Sequence, residues 1–161
     1  MKSICLIFPF FIVLVSCKEN TPLLEEEAVS VQQPVELITP EFLSGRWEAP
    51  ESGGFTFDVW LYVEDGFISG QYCAMNEDVS RIDCGTEGDL DDCFIRGSFI
   101  PDKNSIEVTI KSCYALKEGK AVISRSGNYL IWHLAEPPGK YGQDHFAPEG
   151  ATLKKVGNKV F

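Results

Sequence analysis

The clearest pattern along the chain is a period of two from residue 55 to residue 64, in which Phe, Val or Leu at each odd position alternates with Thr, Asp, Trp, Tyr or Glu. This period of two is typical of a β-strand with one buried face. Asp65-Gly66 follows at once, and this dipeptide favours a two-residue type I′ turn. A two-residue turn at 65–66 pairs residues that lie equally far from it on the two strands. In this register, apolar side chains from both strands lie on one face of the hairpin. The pairs on that face are Val63 with Ile68, Leu61 with Gly70, Val59 with Tyr72, and Phe57 with Ala74.

Two more hairpins are predicted further along. The first turns at residues 101–104, between strands at 94–100 and 105–114. The second turns at Gly127-Asn128, another turn dipeptide between apolar runs. Its facing apolar pairs are Ile123 with Trp132 and Ala121 with Leu134. A first strand at 45–49 and a last strand at 151–155 complete the pattern. The prediction is an all-β fold, an antiparallel meander of about eight short strands closed into a small barrel, because closure removes exposed sheet edges.

The segment before the first strand sharpens this prediction. Residues 39–44 read as a short helical turn that Thr39 caps, with Pro40 at its first position. Gly45-Arg46-Trp47 follows. A short helix before a Gly-x-Trp strand resembles lipocalin-type β-barrels, and the resemblance implies that Trp47 closes the base of the barrel. The chain is shorter than typical lipocalins and shows no helical pattern after the barrel, and a small barrel can be filled by its own side chains.

The N-terminus has the pattern of an export signal. Lys2 precedes an apolar run, Ile4 to Val15, which is shorter than the ~20 residues needed to span a membrane. Leu14-Val15-Ser16-Cys17 resembles the lipobox of bacterial lipoproteins. The resemblance implies that residues 1–16 are a signal peptide and that Cys17 is acylated and becomes the first residue. Lys18, in place of Asp, favours the outer membrane of a bacterial cell envelope.

Residues 17–36 are predicted to be a lipidated flexible tether. They are polar, contain Pro22 and Pro34, and lack a sustained apolar period. A flexible segment of this length has an rms reach of roughly 25 Å. Residues 37–161 then form a single β-barrel domain, held away from the membrane that carries the anchor.

The charge of the chain is strongly acidic. It has 14 basic and 24 acidic residues, a net charge of −10. Removal of residues 1–16 takes away one lysine and no acid, so the mature chain carries −11. This balance argues against binding to nucleic acid. It favours a cationic partner, or serves solubility alone.

Four cysteines remain in the domain once Cys5 is cleaved off and Cys17 is acylated. They are Cys73, Cys84, Cys93 and Cys113, and in an exported domain they predict two disulfides. Proximity favours 73–84 with 93–113. The alternation of side chains along the two predicted strands places Cys93 and Cys113 on opposite faces, which disfavours the second bond. A bulge near Gly97 would shift the register and remove this conflict. The rival pairing is 84–93 with 73–113.

An acidic stretch lies between two of these cysteines. Glu87, Asp89, Asp91 and Asp92 could bind calcium, form a protein-binding loop, or simply be solvated. The spacing of an EF-hand is missing, and no Cys-x-x-Cys or His-x-x-His pair indicates zinc. We predict no metal and no cofactor.

Other candidate residues are aromatic or lie in the long loop 136–150. Trp60 and Tyr62 point away from the core and could contact a partner. Tyr141 and His145 are candidates in the long loop, whose length suggests a functional role. The neighbouring pair Asp144-His145 is not by itself a catalytic triad, and no Gly-x-Ser-x-Gly elbow is present. We therefore predict that the protein is not an enzyme.

These observations favour a membrane-anchored envelope lipoprotein whose acidic barrel binds a partner protein. Because cell-wall hydrolases and toxins are often cationic, the protein could inhibit one of them, and small lipoprotein lysozyme inhibitors and periplasmic immunity proteins are similar in architecture and location. The alternatives are a lipocalin-like carrier of a small apolar ligand and a structural or stress lipoprotein of the envelope. Large side chains at Phe55, Phe57 and Tyr72 would argue against a carrier by filling the lumen.

Overall fold

A computed structural model describes residues 36–50, 55–76, 80–85 and 93–158. The predicted signal peptide, Cys17 and the tether up to residue 35 lie outside the described residues, as do Glu87, Asp89, Asp91 and Asp92. In the described ranges, one short helix precedes nine strands. The elements are α1 (Pro40–Leu43), β1 (Gly45–Glu48), β2 (Phe55–Glu64), β3 (Phe67–Asn76), β4 (Ile82–Cys84), β5 (Phe94–Ser98), β6 (Ser105–Lys111), β7 (Gly119–Ser126), β8 (Tyr129–Glu136) and β9 (Gly150–Gly157).

Eight of these strands form a closed antiparallel barrel. β1, β2, β3, β5, β6, β7, β8 and β9 pair in this order, and β9 returns to pair with β1. The short strand β4 lies outside this ring and pairs with β3. The predicted all-β meander and its closure are confirmed, whereas β4 was not predicted.

The register of the first hairpin is the predicted one. Leu61 faces Gly70 and Val59 faces Tyr72, and the same register holds along the whole β2–β3 ladder. Asp65 and Gly66 have φ angles of 51° and 80°. Positive φ at both central residues is the signature of a type I′ turn, so the turn dipeptide and the apolar alternation specify the same register.

The second hairpin resolves the conflict of strand parity. Ile95 faces Ile110, and the ladder runs from Phe94 to Arg96 without a register shift. Both isoleucines are fully buried. The strands are therefore offset by one residue from a hairpin centred on Lys103, and no bulge at Gly97 is needed to bring Cys93 near Cys113.

Large side chains fill the interior of the barrel. Phe57 lies 5.3 Å from Trp132 and 6.0 Å from Tyr72, measured between ring centroids. Six large side chains of the lining are fully buried, as in a close-packed interior. They are Trp47, Phe57, Val59, Leu61, Leu130 and Leu153.

One end of the barrel is covered by α1, and we call it the closed end. Trp47 lies at this end and donates a 2.9 Å hydrogen bond from Nε1 to the carbonyl of Leu43. Lys155 Nζ lies 5.4 Å from the centre of the Trp47 ring and donates to the carbonyl of Glu41 at 2.7 Å. Helix α1 is thus bonded to the first and last strands. The turn 65–66, the loop 99–104 and the turn 127–128 also lie at this end.

Candidate partner-binding surface at the mouth of the barrel

The opposite end, which we call the mouth, is organised around a buried carboxylate. Asp83 lies on β4 and is only 1% exposed. It accepts hydrogen bonds from the hydroxyls of Tyr72 and Ser112 at 2.7 and 2.8 Å. The backbone N–H groups of Phe146 and Cys113 also donate to it, at 3.0 and 3.3 Å. One side chain therefore joins β3, the end of β6 and the long loop before β9.

This arrangement satisfies a group that would otherwise be costly to bury. A buried carboxylate needs hydrogen-bond donors, and four donors converge on Asp83. Burial raises the pKa of Tyr72, and the charge of Asp83 raises it further. The phenol therefore stays protonated and donates at any physiological pH. The carboxylate acts as a structural joint of the mouth.

Two disulfides brace the same region. Cys73 is bonded to Cys84, its direct neighbour across β3 and β4, and Cys93 is bonded to Cys113. The pairing favoured by proximity is confirmed. Cys84 and Cys93, which bracket the acidic stretch, are thus each fixed to the barrel, although residues 86–92 themselves lie outside the described residues.

The long loop 137–149 folds back over the mouth. Phe146 and Ala147 are buried in the core cluster, at 8% and 0% exposure. Trp132 Nε1 donates to the carbonyl of Pro148 at 3.1 Å, and Arg81 Nη1 donates to that of Gly142 at 2.7 Å. Because the loop supplies core residues, it works as a plug that closes the barrel.

His145 is part of this plug. It is 2% exposed, and none of the described residues forms a hydrogen bond with its Nδ1. Burial lowers its pKa, although the backbone at Ala147 and the charge of Asp83 act in the opposite direction. The carboxylate of Asp144 accepts a hydrogen bond from the backbone N–H of Lys140. A contact between His145 and a partner, which the sequence suggested, does not fit this burial.

Four apolar or aromatic side chains are exposed around the plug, and we call them the mouth surface. They are Ile82, Tyr114, Leu116 and Tyr141, with exposures of 41%, 53%, 104% and 58%. The Tyr114 hydroxyl donates to the carbonyl of Ile82 at 2.7 Å. The rings of Tyr114 and Tyr141 lie 6.3 and 6.1 Å from that of Phe146. Two of the four are thus packed against the buried edge of the plug.

A shallow open groove of about 390 Å³ runs through the mouth surface. Its lining combines apolar groups with a cation and an amide. The lining residues are Ser80, Arg81, Ile82, Tyr114, Gln143 and Phe146. Arg81 lies over the Phe146 ring, 5.7 Å from its centre. This shape and mixture suit part of a protein interface better than an enclosed small-molecule site.

Charge is distributed unequally between the two ends. The segments that join strands at the mouth contain ten acidic residues and three basic ones in the sequence. The segments at the closed end contain four acidic residues and two basic ones. The mouth segments are 49–54, 77–81, 85–93, 112–118 and 137–149, and the closed-end segments are 36–44, 65–66, 99–104, 127–128 and 158–161. Seven of the ten acidic residues lie outside the described residues, and the described residues of the mouth segments include three acidic and three basic ones.

Trp60 and Tyr62 lie elsewhere, on the outer wall formed by β2. Trp60 is half-buried under the guanidinium of Arg46, which is 5.3 Å from the ring centre. Arg46 also pairs with Asp58 at 3.0 Å. Tyr62 is 42% exposed and faces Ser69 across the ladder. Of the predicted contact residues that are described, only Tyr141 belongs to the mouth surface.

Within the described segments, no group of three His, Cys, Asp or Glu side chains is placed to hold a metal ion. None of the helices in the described part of the chain is long and apolar enough to cross a membrane. Neither protein-family models, curated proteins nor solved structures gave a match to this chain. The features that bear on function are therefore the mouth itself and the N-terminal sequence.

Proposed function

We propose that this protein is a lipid-anchored lipoprotein of the bacterial envelope and that the mouth of its barrel binds a partner protein. The partner is cationic, in the manner of a cell-wall hydrolase or toxin, and binding inhibits it. The lipobox at Cys17 supports the anchor, and the resemblance to lysozyme inhibitors and immunity proteins extends to architecture and location only. In this proposal the protein acts by covering a surface of its partner, and it uses no cofactor or catalytic group of its own.

The observation that carries the proposal is that the side chains of the mouth surface are exposed and that their contacts hold them in place. Exposed aromatic side chains are enriched at protein interfaces, where they supply apolar contact area. Here Tyr114 is hydrogen-bonded to Ile82 and packed on Phe146, so little freedom remains to be lost on binding. The two disulfides and Asp83 hold the supporting segments.

The charge around this surface indicates the sign of the partner. The sequence segments that join strands at this end are rich in acidic residues, and such segments attract cationic proteins and speed their encounter, most strongly at low salt. The same charge would repel nucleic acid and anionic lipid. A cationic protein with an apolar protrusion would complement both features of the mouth.

The filled interior argues against the alternative of an apolar-ligand carrier. Phe57 packs against both Tyr72 and Trp132 inside the barrel, and Phe146 and Ala147 of the plug are buried in the core. A ligand would have to displace the plug and several core side chains, at a cost of several kcal/mol. A purely structural lipoprotein would not need exposed aromatic residues on a braced loop.

The test uses the mature chain and a panel of cationic cell-wall hydrolases and toxins. Association rates are measured by surface plasmon resonance over a salt titration, for the wild type and for the double variant Asp91→Asn/Asp92→Asn. The matched control is Asp65→Asn/Asp102→Asn, which removes two charges at the closed end. Both control positions have positive φ, which Asn tolerates.

We expect the Asp91/Asp92 variant to associate several-fold more slowly at low salt and to lose part of the salt dependence. The control should behave as the wild type does. If no member of the panel binds, or if both variants lose the same amount, the mouth does not select a cationic partner and the proposal fails.

The anchor is tested separately by metabolic labelling with palmitate. The wild type should incorporate label and remain in the membrane fraction, and Cys17→Ala should do neither. Label that persists in Cys17→Ala would show that the acylated residue lies elsewhere.

A further inference from the structure

The closed end carries a second set of exposed apolar side chains, distinct from the mouth surface. Leu37, Phe67 and Ile100 are 41%, 67% and 52% exposed. Phe67 directly follows the type I′ turn, and Ile100 lies in the loop between β5 and β6. We call these three residues the tip, because all three are exposed at the closed end of the barrel.

Backbone hydrogen bonds show that the segments of the tip are neighbours. Phe99 N–H donates to the carbonyl of Gly66 at 2.8 Å, which joins the loop 99–104 to the turn before Phe67. Ile38 N–H donates to the carbonyl of Lys103 at 3.0 Å, which joins the same loop to the N-terminal segment. The three exposed side chains therefore belong to one end of the barrel.

The chain enters the domain at this same end. Arg125 Nη1 donates to the carbonyl of Leu37 at 3.0 Å, and its Nε lies 3.5 Å from the carboxylate of Glu36. The guanidinium also covers the Phe42 ring at 4.3 Å. Glu36 and Leu37 are thus fixed to the closed end, and the segment that leads back to Cys17 departs from there.

We infer that the tip docks on the surface of the membrane that holds the lipid anchor, with Phe67 and Ile100 entering the interfacial region. This inference rests on the anchor in the proposed function. A flexible tether with an rms reach of roughly 25 Å allows the closed end either to stand away from the bilayer or to touch it, and it does not orient the barrel. Burial of exposed apolar side chains in the interface supplies the orientation, because each gains from leaving water.

By sequence, the segments at the closed end are less acidic than the segments that join strands at the mouth. The closed-end segments carry four acidic and two basic residues, whereas the mouth segments carry ten and three. By these counts an anionic bilayer would repel the mouth segments more strongly than the closed-end segments, which also carry a net negative charge. Docking by the tip therefore points the mouth away from the membrane, toward a partner in solution.

The experiment places a tryptophan at the tip of the mature acylated chain, in the variant Phe67→Trp. The protein is reconstituted in vesicles of phosphatidylethanolamine and phosphatidylglycerol, with and without bromine on the acyl chains. The matched control is Leu116→Trp, which places the same fluorophore on an exposed apolar position of the mouth. The wild type gives the background of Trp47, Trp60 and Trp132.

We expect brominated lipid to quench the added emission of Phe67→Trp, and ordinary vesicles to shift that emission to the blue. The emission of Leu116→Trp should do neither. Equal quenching of the two variants, or no quenching of Phe67→Trp, overturns the inference. A blue shift of Phe67→Trp that is already complete in detergent and insensitive to bromine would indicate a protein contact at the tip, and also overturns it.

Flotation separates this inference from its premise. A chain that floats with the vesicles while the emission of Phe67→Trp stays unquenched contradicts docking and leaves the anchor intact. A chain that lacks palmitate and does not float contradicts both. Because Phe67 is 67% exposed, the substitution should leave the circular dichroism and the unfolding midpoint unchanged.

Discussion

Tyr72 and Asp83 are joined by a 2.7 Å hydrogen bond between the phenol and the carboxylate. The phenol belongs to the lining of the barrel, whereas the carboxylate belongs to the extra strand at the mouth. This bond therefore connects the core, whose purpose is stability, to the surface that we assign to partner binding. It also explains why a charged residue occupies an inward position on β4.

Removal of the Asp83 carboxylate should be among the most destabilising single changes in the protein. Asp83→Ala leaves buried donors from Tyr72, Ser112 and two backbone groups without an acceptor, and we expect a loss of about 3–5 kcal/mol. Tyr72→Phe removes one donor to a charged group and should cost about 1.5–3 kcal/mol. Urea unfolding of the oxidised proteins measures both. A cost for Asp83→Ala no greater than that of Asp102→Asn would contradict the role of Asp83.

His145 should make the stability of the domain depend on pH. Burial lowers its pKa in the folded state below the ~6.5 of an unfolded chain. Between these two values the unfolded state binds more protons, so stability is complete above about pH 6.5 and falls as the pH drops toward the folded pKa. The nearby groups are Asp83, Asp144 and the ring of Tyr141.

The urea midpoint measured from about pH 7.5 down to 5 checks this dependence. His145→Gln should flatten the profile in that range, while His133→Gln, on the exposed outer face of β8, should leave it as in the wild type. If the urea midpoint of His145→Gln changed with pH as steeply as that of the wild type, groups other than His145 would cause the pH dependence.

Gly45 should tolerate no side chain. Its φ is +136°, and an added Cβ would lie 2.5 Å from the carbonyl oxygen of Gly157, where β9 closes on β1. Gly45→Ala should therefore cost about 2 kcal/mol or more, since both the backbone and the contact are strained. Gly127 is the control, because its surroundings are open and Gly127→Asn suits its φ of +59°. Thermal unfolding of the two variants should differ clearly, and similar midpoints would mean that the β1–β9 closure can shift to make room.

The Cys93–Cys113 disulfide should matter for binding as well as for stability. Its partners are 20 residues apart, and the loss of such a cross-link typically costs about 3 kcal/mol. The double variant Cys93→Ser/Cys113→Ser also frees one end of the acidic stretch. For a panel member that binds the wild type, we expect faster dissociation from this variant, measured under conditions where it remains folded. Unchanged dissociation would remove the acidic stretch from the interface.

Local sequence signals carried most of the fold. Asp65-Gly66 and the alternation from Phe55 to Glu64 specify the same register independently, and the β2–β3 hairpin follows from them. The capped turn at Thr39 and the strand containing Trp47 are equally local. Closure of β9 on β1 followed from the general cost of exposed edges.

The mouth could not be predicted in this way, because its contacts join distant segments. β4 has three residues and hence no period to detect, and Asp83 is buried only because Tyr72, Ser112 and Phe146 converge on it. Neither the burial of His145 nor the exposure of Leu116 follows any repeating pattern. The parity conflict at Cys93 arose because the loop 99–104 sets a register that its turn residues do not reveal.

Leu116 offers the most direct measurement of the central claim, that the mouth surface binds a protein. Its side chain is fully exposed, so Leu116→Ser should not alter folding. Against a cationic hydrolase or toxin that binds the wild type, we predict that Leu116→Ser raises the Kd about tenfold or more, chiefly through faster dissociation, and that Phe67→Ser at the closed end leaves it unchanged. Equal affinity of the Leu116→Ser variant and the wild type for every binding member of the panel would contradict the claim.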